Sequence, residues 1–207
     1  MNIILENIGK RYRHDWIFKK LNFSFLSGLN YGILGQNGAG KSTLLQLISG
    51  YLSASSGKIN YEHQQKNIAR EDVFASVAVC APYLSLIEEL NLTELIDFQS
   101  KFKNWQNKLN TSQILELIAL PKNASLRPLR QFSSGMRQKV KLALAVLSDA
   151  PLLLLDEPTI TLDNQAISWF FDLLQQFSPA WRCTIIASNV ETDFWNCNEK
   201  LDLKTFK

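Results

Sequence analysis

Gly35-Gln36-Asn37-Gly38-Ala39-Gly40-Lys41-Ser42-Thr43 satisfies the pattern G-x-x-x-x-G-K-[ST] at every fixed position. Glycine at 35, 38 and 40 lets the backbone bend so that successive N–H groups converge on one anion. Lys41 brings a cation to the outer phosphates, and Ser42 a hydroxyl for Mg²⁺. The flanks agree. Tyr31-Gly32-Ile33-Leu34 reads as a short buried strand, and Leu44, Leu45, Leu47 and Ile48 line a helix that runs to Gly50. The N-terminal dipole of that helix faces the same anion. A glycine-rich turn with a chance lysine needs neither flank. The stretch therefore predicts a P-loop whose nine residues all contribute to a nucleotide site.

The chain has 207 residues, enough for one α/β domain with a substantial core. Its hydrophobic fraction of 46% and charged fraction of 20% are ordinary for a globular protein. No apolar run approaches the ~20 residues needed to cross a bilayer, and Met1–Glu6 lacks the basic start and apolar core of a signal peptide. The chain is expected to be cytoplasmic and to carry no added regulatory domain. A net charge of +3 is too small to imply nucleic acid, and none is expected as a partner. Cys80, Cys183 and Cys197 are isolated and have no metal-ligand spacing, so they read as reduced thiols.

Ile3, Leu5 and Ile8, then Leu21, Phe23 and Phe25, suggest antiparallel strands joined by a connection across Gly9–Asp15. Lys58–Tyr61 continues as a strand, and Glu62–Asp72 reads as a polar surface excursion. Val77–Ala81 is a buried strand ended by Pro82. Beyond it the pattern turns helical. Asn91 with Glu94 forms a capping box, with Leu95, Phe98 and Phe102 on one face. Thr111 and Ser112 open a second helix carrying Ile114, Leu117 and Ile118. Ser133-Ser134-Gly135 opens a long helix whose buried stripe is read as Met136, Val140, Ala143 and Leu147. Leu152–Asp156 is a continuous apolar run, as in a central parallel strand. Asn164–Gln176 is a further amphipathic helix, Cys183–Ala187 the next strand, and Leu201–Leu203 the last.

A P-loop needs a second carboxylate for its metal at the end of a neighbouring buried strand. Asp156 is the acidic residue that ends such a run, so Ser42 and Asp156 are the predicted Mg²⁺ residues. Glu157 follows at once and can orient and deprotonate a water that attacks the γ-phosphate. An acidic turn capping the next helix is the plainer alternative for Asp156-Glu157-Pro158, but it leaves the P-loop without a metal partner. Neither Asn-Lys-x-Asp nor Asp-x-x-Gly occurs, so nothing specifies guanine and ATP is the expected nucleotide. Tyr12 is the candidate to stack on the adenine.

Gly35–Thr43, Phe132-Ser133-Ser134-Gly135-Met136, Leu152–Pro158 and Thr159–Asp163 resemble, in order and spacing, the ATP-binding subunits of ABC transporters. The resemblance runs from Tyr12 to the final strand. It implies an α/β fold: a P-loop NTPase core with a mostly parallel sheet, an N-terminal antiparallel β subdomain and a helical subdomain inserted at about 84–131 in one ATPase domain, 1–207. It also implies that Ser133, Ser134 and Gly135 form a signature loop that closes on ATP held by a second protomer. In place of Leu-Ser-Gly-Gly-Gln this chain has Phe132-Ser133-Ser134-Gly135-Met136. Two further departures concern the γ-phosphate. The family's switch histidine has no counterpart, because His14 and His63 lie far upstream; Asn189, or Ser188, takes its place. The Q-loop glutamine is replaced at Pro82-Tyr83.

The resemblance implies a homodimer, or a heterodimer with a second ABC ATPase, coupled to a separate transmembrane permease at the inner face of the membrane. Leu84, Leu86 and Ile87 would meet the permease. Two other functions fit the same motifs. One is a soluble ABC-type ATPase outside transport, although no long coiled-coil insert or second ATPase unit is present. The other is a nucleotide-dependent regulator with slow turnover, suggested by the missing glutamine and histidine and opposed by Glu157.

Overall fold

The computed structural model describes residues 1–121 and 124–206, and the chain divides into two compact units. The first comprises Met1–Val79, Pro151–Glu157 and Pro179–Lys207; the second comprises Cys80–Ala150 and Pro158–Ser178.

In the first unit, β1 (Asn2–Tyr12) and β2 (Asp15–Phe25) form an antiparallel hairpin, with Tyr12 opposite Asp15. The strands thus extend through most of the Gly9–Asp15 segment expected to be loop, leaving a turn at Arg13-His14. They can do so because Phe18 and Leu21 keep burying side chains on the core face. β4 (Ser56–His63) pairs with β1, and β5 (Lys66–Ile68) with β4. The expected polar excursion is therefore partly a hairpin, turned by Gln64 and Gln65 at positive φ. Polar composition hid it, since side chains on this edge sheet need not be apolar to pair.

The second sheet has the order β6 (Val77–Cys80), β7 (Leu152–Asp156), β8 (Cys183–Ala187), β3 (Asn30–Leu34), β9 (Glu199–Asp202). The β7–β8, β8–β3 and β3–β9 pairs are parallel. β7 and β8 are buried along their whole length, which is why both read as unbroken apolar runs. Helix α1 (Lys41–Ile48) contributes Leu44, Leu45, Leu47 and Ile48 to the same core as Ile3, Phe18, Tyr31 and Ile185.

The second unit is helical. α2 (Leu92–Gln99) starts at the Asn91–Glu94 capping box, and α3 (Thr111–Ile118) at a second box made by Asn110 and Gln113. α2 buries Leu95 and Ile96, whereas Phe98 is 40% and Phe102 71% exposed, so of the three residues expected on one face only Leu95 is buried. The helix stops at Gln99, and the two rings pair with each other at 5.1 Å. α4 (Ser134–Leu147) packs against α3 and against α5 (Asn164–Gln176). Met136 is only half-buried; Gln138 is enclosed instead, with Val140 and 142–147 behind it. No helix among the described residues is long and apolar enough to cross a membrane.

Candidate nucleotide site

The loop between β3 and α1 has the backbone that the glycine spacing requires. Gly40 sits at φ 99°, and a Cβ there would lie 2.4 Å from Ile17 Cγ2. Gly38, at φ 79°, has nothing within 4 Å of that position, so the loop stays open on this side. α1 has no side-chain cap and no acidic residue in its first turn, which leaves its N–H groups to an anion. Lys41 is 6% exposed, and its Nζ donates to the Gly35 carbonyl at 2.8 Å.

β7 delivers the two carboxylates. Asp156 is 1% exposed, and neither of its oxygens makes a well-formed hydrogen bond among the described residues. Burial raises its pKa; the neighbouring Ser42 hydroxyl opposes that shift, Glu157 adds to it and Lys41 opposes it. A buried carboxylate left without a donor, beside a serine hydroxyl, is an oxygen set suited to a hard divalent cation.

Glu157 directly follows β7 with φ 46°, and its N–H donates to the Ala187 carbonyl at 2.8 Å. Its two oxygens are held differently. Oε1 lies 3.3 Å from Lys41 Nζ; Oε2 lies 3.2 Å from Ser188 Oγ and 3.4 Å from Asn189 N. Asn189 also donates from Nδ2 to Asn37 Oδ1 at 3.2 Å. Lys41, Glu157, Asn189 and Asn37 are thus joined by direct contacts. Of the two residues offered for the missing histidine, Ser188 is fully buried and Asn189 exposed.

Tyr12 stands at the end of β1, 47% exposed, with the Lys10 ammonium 5.1 Å from its ring centre. The ammonium thus lies over one face of the ring.

Within the second unit, Ser133 caps α4 by accepting the Met136 N–H at 3.2 Å. Ser134 is exposed, and a Cβ on Gly135 would lie 3.2 Å from the Thr161 carbonyl. Gln138, absent from the sequence reading, is buried and donates to the Pro158 carbonyl at 2.8 Å. Lys141 donates to the Ala81 carbonyl at 3.2 Å, immediately before the proline that replaces glutamine. A lone glutamine inside an amphipathic helix gives little signal. Its place on the apolar face was the available clue.

The model of the ABC transporter family matches residues 18–160, well over half of the chain. The chain belongs to the ABC transporter family. It is an ATP-binding subunit of the ABC type, a class of ATP hydrolases. It is 28% identical over 191 residues to the uncharacterized ABC transporter ATP-binding protein YcbN of Bacillus subtilis, covering 91% of this chain and 62% of that protein. It is 30% identical over 190 residues to the lantibiotic transport ATP-binding protein SrtF of Streptococcus pyogenes, covering 90% and 79%. Thus the chain spans less than two thirds of the first relative and more than three quarters of the second. Among solved structures, a bacterial ABC transporter cassette determined as a dimer superposes with a TM-score of 0.81 at 20% identity, covering 97% of this chain and 94% of that one. Membership of the family confirms the α/β fold and the ATP-binding role expected from the P-loop.

Proposed function

We propose that the chain binds MgATP on Gly35–Thr43 and hydrolyses it to drive separate membrane subunits of an ABC transporter. The observation that carries this reading is the pair of adjacent carboxylates: Asp156 buried with no well-formed hydrogen bond among the described residues, and Glu157 held 3.3 Å from the buried Lys41. In this reading 1–207 acts as one ATPase domain, with the helical insert at about 84–131.

Asp156 and Ser42 would hold Mg²⁺, which when bound supplies charge neutralisation at the β- and γ-phosphates. Lys41 would turn from Glu157 to the phosphates, while the α1 N-terminus and loop N–H groups hold the remaining oxygens. Glu157 then accepts a proton from water as the water oxygen bonds to the γ-phosphorus. The bond from that phosphorus to the bridging oxygen breaks, and ADP departs. Asn189 would donate to the γ-phosphate from Nδ2, the group that Asn37 now receives. Tyr12 would stack on adenine.

Ser133, Ser134 and Gly135 face no nucleotide of their own chain in this reading. They would complete the site of a second copy or of a homologous ATPase, as the dimeric relative suggests. In the second unit, Pro82, Leu84, Leu86, Arg137 and Lys141 line a groove of about 320 Å³. This groove, with Leu84 and Ile87 about two-fifths exposed, would receive a permease segment at the cytoplasmic face of the membrane. No nucleic acid is required.

The test is single-turnover hydrolysis of MgATP by the wild type and Glu157→Gln. Loss of the base should cost roughly 10²–10⁴-fold in rate with ATP still bound. Equal rates would remove Glu157 as the base. Co-purification with a membrane protein tests the transport assignment, and recovery only in free form would count against it.

A further inference from the structure

Ser188 directly follows β8, and the parallel register of Asp156 with Ala187 places it beside Glu157. Its side chain is fully enclosed and is engaged on three sides. Val190 N–H donates to its oxygen at 3.0 Å; Asp193 Oδ2 lies 2.6 Å away and Glu157 Oε2 3.2 Å away. A hydroxyl has one proton to give. The contact with Asp193 has the length of a charge-assisted bond, so Asp193 fixes the orientation of the hydroxyl, and the same proton reaches Glu157 Oε2 as the longer branch of a three-centre bond.

Asp193 is itself 1% exposed, in the short 3-10 turn Glu191–Phe194. That turn is seated by the next residue. Phe194 lies over Gly32 of β3, where an added Cβ would be 2.7 Å from the ring. A carboxylate is therefore carried into the interior by a backbone anchored on the phosphate-loop strand, where it accepts the hydroxyl of the serine behind the base.

We propose that Ser188, backed by Asp193, is the positioning residue for Glu157. The inference rests on the reading of Glu157 as the base. Oε1 of Glu157 is held by Lys41, a cation that phosphate competes for, whereas Oε2 is held by Ser188 and the Asn189 N–H. Once phosphate draws Lys41 away, the Oε2 contacts remain to aim the carboxylate at water. Ser188 also fixes the 188–190 turn through Val190 N–H, which sets the direction of the Asn189 N–H. The pair acts on the chemical step and leaves ATP binding alone.

The experiment measures single-turnover hydrolysis and equilibrium ATP binding on the full chain. Ser188→Ala should slow hydrolysis about 10- to 100-fold, the cost of a misplaced reacting group, with ATP affinity within about twofold of wild type. Ser188→Thr restores a hydroxyl and should recover most of the rate. Asp193→Asn keeps the volume, removes the anionic acceptor and should fall between. In a Glu157→Gln background, Ser188→Ala should cost nothing more, because residues acting as one unit are not additive. Should Ser188→Ala unfold, Ser188→Cys takes its place with the same expectations. Wild-type hydrolysis by Ser188→Ala, in a protein that Glu157→Gln cripples, overturns the inference alone. So does an undiminished Ser188→Ala cost in the Glu157→Gln background. A wild-type chain that hydrolyses no ATP overturns the Glu157 reading, and this inference with it.

Discussion

Asn189 Nδ2 lies 3.2 Å from Asn37 Oδ1, tying the residue after β8 to the crest of the phosphate loop. The two are 152 residues apart in sequence, so the bond depends on the parallel alignment of β8 beside β3. In the proposed function this amide is the group that reads the γ-phosphate. An amide can donate there but cannot add a positive charge.

Asn189→His should raise the turnover of ATP by roughly fivefold, the worth of about 1 kcal/mol from a charge-assisted bond. Steady-state phosphate release on the two proteins checks it. A rate that is unchanged or lower shows that asparagine already supplies all that this position gives.

Lys41→Ala removes a buried ammonium that bonds Gly35 and faces Glu157. A hydrogen bond to a charged group is worth about 1.5–3 kcal/mol, so ATP affinity should fall roughly 10- to 150-fold. Titration calorimetry reads this directly. An affinity within about twofold of wild type would show that the loop N–H groups suffice.

Asp156→Asn separates folding from metal chemistry. The folded-state pKa of Asp156 is raised, chiefly by burial, so its ionised form disfavours the fold above that pKa, and the penalty fades as pH falls toward the unfolded value. The variant should therefore melt higher than wild type at pH 7, by about 2–4 °C per kcal/mol relieved. That gain should shrink on acidification toward pH 4. With MgATP present the order should reverse, because the amide cannot hold the cation. A variant that melts lower at pH 7 without nucleotide would contradict this account.

Ser133→Ala tests a residue with two roles. Loss of the N-cap bond to Met136 should cost about 1 kcal/mol of stability, a drop of about 2–4 °C in Tm. ATP affinity should hold, because Ser133 lies outside the P-loop, whereas turnover should fall well beyond what the small instability explains. Turnover that tracks only the loss of stability would leave Ser133 as a helix cap and nothing more.

The sequence was legible where signals are local. The strand–loop–helix setting of the P-loop, the apolar run ending at Asp156, the Asn91 capping box and the span of α5 each arise from neighbours in the chain, and the structure has each of these elements. Asp193 was not legible. Its neighbours Glu191 and Thr192 suggest an ordinary polar turn, and its burial depends on Phe194 meeting Gly32, about 160 residues away. A glycine inside a buried strand was the one available hint of a close approach. Phe98 and Phe102 misled in the opposite sense. They have helical spacing, but the helix ends at Gln99 before the second ring can join its face. The β5 hairpin escaped because pairing along a sheet edge depends on backbone hydrogen bonds, which leave little trace in polar side chains.

Glu157 adopts a φ of 46°, a conformation that costs an ordinary side chain roughly 1–2 kcal/mol and glycine almost nothing. A variant with glycine at this position would fold more firmly and lose the carboxylate. With Glu157 as the proposed base, screens that reward heat resistance alone would thus drive the chain toward a well-folded protein that binds ATP without turning it over.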